Sequence, residues 1–302
     1  MQLVAAYIAV VLIWSTTPLG IVWSSTSVSP SMALLLRMSI ALVLGWTIVK
    51  LARIDLPWTK QARRFYICSA LGVSVGMLFT YIASRSIPSG VISLVFGLSP
   101  ILSGLFAQKI LGEKKFNTSR KWALVLSFLG LVIVCAGKLS GESGAKSIYW
   151  LDLVLIFMAV GLFSLSAVLV KQVKIQLHPL ASTVGTLIVS MPIFILGWWV
   201  LDGNWPISNI QPKSIWSIIY LGVAGSLLGF VAYFYILQRL SASTVSLVTL
   251  MTPVLAIFLG SKLNGEVITS SLLVGTVFIM FGLVLYFFGY RLVWPFTNKL
   301  LK

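Results

Sequence analysis

The sequence predicts an all-α polytopic membrane protein of ten transmembrane helices, built as two inverted five-helix repeats. Three observations carry this. Hydrophobic residues make up 59% of the 302 and charged residues only 9%, with a mean hydropathy of +1.03, a balance that no water-soluble core of this size needs. Apolar stretches of roughly 17–25 residues, long enough to cross a hydrocarbon layer about 30 Å thick, recur along the whole chain. A shift of 153 residues lays one half over the other without a gap from 72 to 113.

Breaks rich in charge, Pro, Ser or Asn set the helices at about 3–23, 31–50, 65–84, 89–111, 120–138, 150–171, 179–201, 213–237, 241–262 and 270–290. Helix 1 follows only Met1 and Gln2, with no basic leader and no clear small-residue cleavage site, so LVAAYIAVVLIW reads as a retained span and not as a signal peptide. It holds Trp14, Ser15, Thr16 and Thr17 beside an intrahelical proline, Pro18. Helix 2 contains Arg37, the one charge well inside a span. Helix 3 brings Gly72 and Gly76, a GxxxG spacing suited to close packing within the chain, then Thr80 and Tyr81. Helix 4 carries Ser93 and Ser99, runs through Pro100 and ends on Gly112-Glu113. Helix 5 closes the first repeat, expected over 1–145; helix 6, with Phe163, Ser164 and Ser166, opens the second, over 146–302. Helix 7 starts at Pro179 behind a loop histidine, His178. Helix 8 repeats the GxxxG spacing at Gly225 and Gly229 and adds Tyr233 and Tyr235. Helix 9 carries Ser246, Thr249, Thr252 and Pro253 and ends near Gly265-Glu266, and helix 10 leads into a short basic tail, WPFTNKLLK.

The net charge of +16 would suggest nucleic acid in a soluble domain; here the basic residues flank membrane spans, and no nucleic-acid partner is expected. With the N-terminus cytoplasmic, sixteen of the 22 Lys and Arg fall on the inner side, five on the outer side, and Arg37 remains within its span. That segregation places both termini in the cytoplasm and the protein in the cytoplasmic (inner) membrane. Cys68 and Cys135 lie in apolar stretches, where a thiol behaves as a small hydrophobe. No disulfide, metal site or cofactor is expected, and a monomer is favoured over a homodimer.

At the 153-residue offset Gly72 meets Gly225, Gly76 meets Gly229, Ser93-Leu94-Val95 meets Ser246-Leu247-Val248, Pro100 meets Pro253, and Gly112-Glu113 meets Gly265-Glu266. Leucine and valine matches are cheap in membrane sequences; Pro, Gly and Glu together at one offset are not. Five helices per repeat is an odd number, so the second copy must be inserted upside down. Many secondary transporters are built this way, with substrate bound near the bilayer midplane at the repeat interface.

Two five-helix repeats, each with a proline in its fourth helix and a Gly-Glu end, seen as PILSGLFAQKILGEK and PVLAIFLGSKLNGEV, resemble the EamA-type branch of the drug/metabolite transporter (DMT) superfamily. LIWSTTP near the start and the arginine in MALLLRMSIAL also resemble it, although Phe163 stands in helix 6 where the first-helix pattern has Trp14. The resemblance implies a ten-helix carrier, often an exporter of amino acids or related metabolites working by alternating access.

Pro100 and Pro253 each free a carbonyl four residues back, at Phe96 and Thr249, and weaken the helix there. Such a break is tolerated in a membrane where neighbours satisfy the backbone, which makes the pair hinges or static kinks. Glu113 and Glu266, on opposite sides under this topology, either interact with the positive start of the next helix or act as latches engaged only when their side is closed. Arg37 has three readings: a substrate contact, a packing lock, or a side chain that snorkels outward. None of the six acidic residues sits mid-helix, so facilitated transport, or coupling without a buried acid, is favoured over a carboxylate proton relay. The substrate-cavity candidates are Trp14, Ser15, Thr17, Arg37, Thr80, Tyr81, Ser93, Ser99, Phe163, Ser166, Tyr233, Ser246, Thr249 and Thr252, a polar and uncharged set with aromatic walls that suits a zwitterion or an amphipathic metabolite. The hinge and gate candidates are Pro18, Pro100, Pro253, Glu113 and Glu266. No catalytic set is present: one loop histidine and six scattered acids argue against an enzyme. A passive channel would need no helix break in each half. Another solute class, or an importer or exchanger, remains open.

Overall fold

The structure is a computed structural model that describes residues 2–113, 115–139, 150–203, 210–245 and 248–297; the expected repeat boundary at 145/146 and the candidate Ser246 lie outside them. Among the described residues every regular element is a helix. In chain order they are α1 (Gln2–Ser24), α2 (Pro30–Leu51), α3 (Lys60–Ala83), α4 (Ser89–Ile110), α5 (Thr118–Leu139), α6 (Trp150–Gln172), α7 (Pro179–Leu201), α8 (Pro212–Arg239), α9 (Val248–Asn264) and α10 (Ser270–Thr297), with a four-residue helical turn, Ala242–Val245, ahead of α9. Eight of them, α1 to α8, are long and apolar enough to cross a membrane.

Local chemistry sets the ends. Ser29 caps α2, its hydroxyl accepting from Met32 N at 3.4 Å, with Pro30 in the first turn where no N–H is needed. Thr59 does the same for α3 through Ala62 N at 3.2 Å. That cap starts α3 five residues earlier than expected, and Lys60, Arg63 and Arg64 therefore lie on the helix and not in the loop before it. Gly112 and Gly265 adopt φ of 69° and 63°, the left-handed conformation that ends a helix without Cβ strain. Behind each, the glutamate N–H reaches back to a carbonyl, Ala107 O at 3.3 Å and Gly260 O at 3.1 Å.

Large apolar side chains such as Leu12, Ile67, Phe128, Trp199 and Val277 face outward, as a hydrocarbon solvent permits. Inside, small residues let the helices approach. A Cβ on Gly72 would stand 2.9 Å from Ser166 Cβ and 3.1 Å from Phe163 Cα, so α3 lies directly on the backbone of α6. Gly72 and Gly225 both sit in π-helical stretches, Leu71–Gly76 of α3 and Leu221–Leu228 of α8, a widened turn common at functional sites. The main packing pairs are α1 with α8 and α9, α6 with α3 and α4, α2 with α8, α7 with α3, α2 with α7, and α5 along α10.

The prolines behave differently. α4 is interrupted at Gly97–Leu98, between Ser89–Phe96 and Ser99–Ile110, and Pro100 falls in the first turn of the second piece. α9 continues through Pro253, and the Thr249 carbonyl that this proline frees accepts from Thr252 Oγ1 at 3.3 Å. A hydroxyl thus supplies the missing donor in α9. In α4 a glycine precedes the proline by three residues and the helix parts there.

Candidate functional site

α4 and α9 cross near the middle of the bundle. Gly97 of α4 lies against Pro253 and Thr249 of α9, and Ser99 Oγ is 3.5 Å from Thr249 Oγ1. Beside this crossing runs a narrow cleft. Its walls are Trp14, Thr17, Pro18 and Ile21 of α1, Arg37 of α2, Met77 and Thr80 of α3, Ile92, Ser93 and Phe96 of α4, Phe163 of α6, Gly225 of α8, and Thr249 and Thr252 of α9. Seven helices are needed to build it.

One part of the wall is aromatic. The Trp14 ring lies 5.7 Å from Phe163 and 5.1 Å from Tyr233; Phe163 in turn meets Tyr233 at 5.6 Å and Phe96 at 6.0 Å. Tilted and edge-on contacts of this kind suit the charge distribution of the rings and make a rigid apolar surface.

Arg37 supplies the charge. Its side chain is 0% exposed, so it does not snorkel to the membrane surface. Nε donates to Ser226 Oγ at 2.9 Å and Nη1 to Tyr81 Oη at 3.2 Å, while the guanidinium carbon lies 5.7 Å from the Tyr81 ring centre. Nη2 has no partner among the described residues. Gly225 makes room for it: a Cβ there would be 3.2 Å from Nη2. Ser93 Oγ is a second buried group of the cleft without a partner among the described residues. The threonines differ, since Thr17 donates to Ile13 O at 2.9 Å, Thr80 to Gly76 O at 2.9 Å and Thr252 to Thr249 O.

Of the other residues expected at a site, Ser15 bonds Val11 O at 2.6 Å on its own helix. Ser166 ties α6 to α3 through Cys68 O at 2.8 Å and Ser69 O at 3.2 Å. Ser99 sits at the helix crossing, and Tyr81 and Tyr233 stand behind the wall, holding Arg37 and Trp14. The apolar lining residues Ile21, Met77, Ile92 and Phe96 carry no sequence mark that separates them from lipid-facing ones. Gly225 is marked only by its repeat partner, and nothing marks Ser226.

The two glutamates part company. Glu266 Oε1 accepts from Ser89 N at 3.1 Å and Ser89 Oγ at 2.7 Å, and Oε2 from Gly90 N at 3.2 Å, so the carboxylate caps the start of α4. Glu113 is exposed. On the Glu266 face, Asp202 accepts from Ser31 and pairs with Arg85 at 3.5 Å, Asp152 accepts from Ser86, and Trp23 Nε1 donates to Asn264 Oδ1 at 2.8 Å. These bonds join six helix ends on one face.

The EamA-like transporter family model matches residues 2–136 and again 150–288. An uncharacterized transporter of Archaeoglobus fulgidus is 25% identical over 272 residues, covering 89% of this chain and 93% of its own. A probable amino-acid metabolite efflux pump of Salmonella typhimurium is 26% identical over 73% of this chain and 75% of its own. A probable terminal-alkyne amino-acid exporter of Streptantibioticus cattleyicolor is 24% identical over 76% and 74%. A solved crystal structure superposes with a TM-score of 0.65 over 96% of this chain and 97% of that one, at 17% identity, a likeness of fold.

Proposed function

Because the chain belongs to the EamA-like transporter family, we propose that this multi-pass membrane protein is a secondary carrier exporting amino acids or similar small metabolites across the cytoplasmic membrane by alternating access. The observation that carries this is the cleft at the α4–α9 crossing, walled by seven helices from both halves and holding the buried Arg37 guanidinium over the Tyr81 ring. Ten spans with cytoplasmic termini, formed by two inverted repeats, are the architecture that goes with it. The paired packing supports the repeat: α1 against α8 and α9 mirrors α6 against α3 and α4. The two π-helical stretches, the two Gly-Glu ends and the double match of the family model support it further.

Alternating access gives the glutamates different states. The Glu266 carboxylate engages the α4 start, and its face is bound together by Asp202, Asp152 and Asn264; Glu113 is exposed and has no such bond among the described residues. This is the expected picture of a carrier closed on one side, with the narrow cleft as the contracted transport cavity. The amino-acid part of the proposal is supported by the names of the Salmonella and Streptantibioticus relatives. In proteoliposomes loaded with unlabelled amino acids, a carrier takes up labelled substrate by saturable counterflow; flux that rises linearly with concentration and shows no counterflow would sink the carrier reading.

A further inference from the structure

We propose that Arg37 is the anion anchor of the cleft, and that the carried substrate is a monocarboxylate whose apolar body lies against Trp14, Phe96 and Phe163. The inference rests on the carrier assignment above and names the substrate chemistry of that same site.

A buried guanidinium inside a membrane protein is costly unless its charge and its donors are met. The two groups that hold Arg37, Ser226 and Tyr81, are neutral. They fix the plane of the fork without balancing its charge. The nitrogen they leave, Nη2, is the one beside the side-chain-free surface of Gly225, at the cleft. Ser93 Oγ is the other unpartnered buried donor on the same walls. The hydroxyl protons of Thr17, Thr80 and Thr252 are spent on their own helices, so toward a ligand those oxygens can only accept.

The cleft therefore offers a charged donor and a hydroxyl donor to an acceptor-only group, and no acidic side chain lines it. One positive charge is matched by one negative charge. A carboxylate fits that balance, whereas a phosphate monoester, near two charges at neutral pH, leaves an excess. A substrate amine meets only hydroxyl lone pairs, so it is accepted but not required. It follows that the acid lacking the amine binds at least as well as the amino acid, while removing the carboxylate abolishes recognition.

The test uses two matched series on the purified full chain: L-leucine, 4-methylpentanoate, L-leucinamide and 3-methylbutylamine; and L-phenylalanine, 3-phenylpropanoate, L-phenylalaninamide and 2-phenylethylamine. Thermal stabilisation and counterflow in proteoliposomes are measured for each. The carboxylates of at least one series should stabilise and drive saturable counterflow, and the amides and amines should do neither. Arg37→Gln should raise the half-saturating carboxylate concentration about tenfold or more, the size expected for a charge-assisted hydrogen bond, with Arg37→Lys recovering part of the loss. If Arg37→Gln does not fold, Ser93→Ala carries the test, with an expected loss of about threefold for the carboxylates. Amines or amides that drive saturable counterflow as well as the acids do overturn the anchor and leave the carrier standing. Carboxylate preference retained in Arg37→Gln, or undiminished in Ser93→Ala when that variant is the one read, also overturns the anchor. Absence of saturable flux with all eight compounds overturns both.

Discussion

At Gly112 and Gly265 the backbone makes nearly the same left-handed turn, yet among the described residues only Glu266 caps a helix start. The donors differ. The start of α4 offers the Ser89 hydroxyl besides two backbone N–H groups, whereas the residue at the repeat position of Ser89 is Ala242. A carboxylate at a helix N-terminus contributes about 0.5–2 kcal/mol through its bonds and the helix dipole. Glu266→Ala is therefore expected to destabilise this state by about 1 kcal/mol, and Glu113→Ala to leave its melting temperature nearly unchanged while slowing exchange. Equal melting shifts in the two variants would contradict the one-sided latch. Glycines offer a second contrast. Gly72→Ala drives a Cβ against Ser166 and the Phe163 backbone and should cost about 1–3 kcal/mol. At Gly161, with nothing within 4 Å, Ala should be neutral or stabilising by up to about 1 kcal/mol. Thermal unfolding of the pair reads the difference.

The elements show why the two prolines are not equivalent. Pro100 opens the second piece of α4, where its missing N–H removes no helical bond. Pro253 lies inside α9 and leaves the Thr249 carbonyl to a side chain. Pro253→Ala restores a backbone donor and removes the weak point, so exchange should slow several-fold with half-saturation unchanged. Wild-type exchange in that variant would rule out α9 as a hinge. Pro100→Ala is expected to change stability by less than about 1 kcal/mol, because position and not composition made the break there. Gly97 against Pro253 places both weak points at the crossing, where a small bend in either helix reshapes the cleft.

Across the whole molecule, the Glu266 face is tied through three carboxylates, Glu266, Asp202 and Asp152, whereas the bonds described at the other face, Tyr7 Oη to Thr244 O at 3.3 Å, Gln238 with Leu177 N and Ser182 Oγ, and Arg64 to Gln172, engage none. The orientation drawn from the charges puts the closed face outside. It is checked with single cysteines at the exposed positions Lys60 and Gln211 in a Cys68→Ala, Cys135→Ala background. A membrane-impermeant maleimide added to whole cells should label Gln211→Cys and not Lys60→Cys; the opposite pattern inverts the topology.

Much of this was legible in the chain, because a bilayer demands long apolar segments and punishes stray charge. Span positions and the Gly-Glu ends follow from residue type, spacing and the 153-residue offset, and Trp14, Thr17, Arg37, Thr80, Ser93, Phe163, Thr249 and Thr252 were among the residue types singled out before the structure set them along one cleft. What stayed hidden has one cause. In lipid, an apolar residue looks the same whether it faces the membrane or a cavity, so Ile92 and Phe96 could not be told from Leu12. Hydroxyls likewise satisfy themselves on their own backbone, and Ser15 and Ser166 were indistinguishable from Ser93 until their partners were seen. The sequence alone determined the helices and the one charge set well inside a span, Arg37. Only the tertiary structure decided which helices enclose a cleft, which glutamate caps a helix start and which nitrogen of Arg37 has no partner among the described residues, because each depends on distances between residues far apart in the chain.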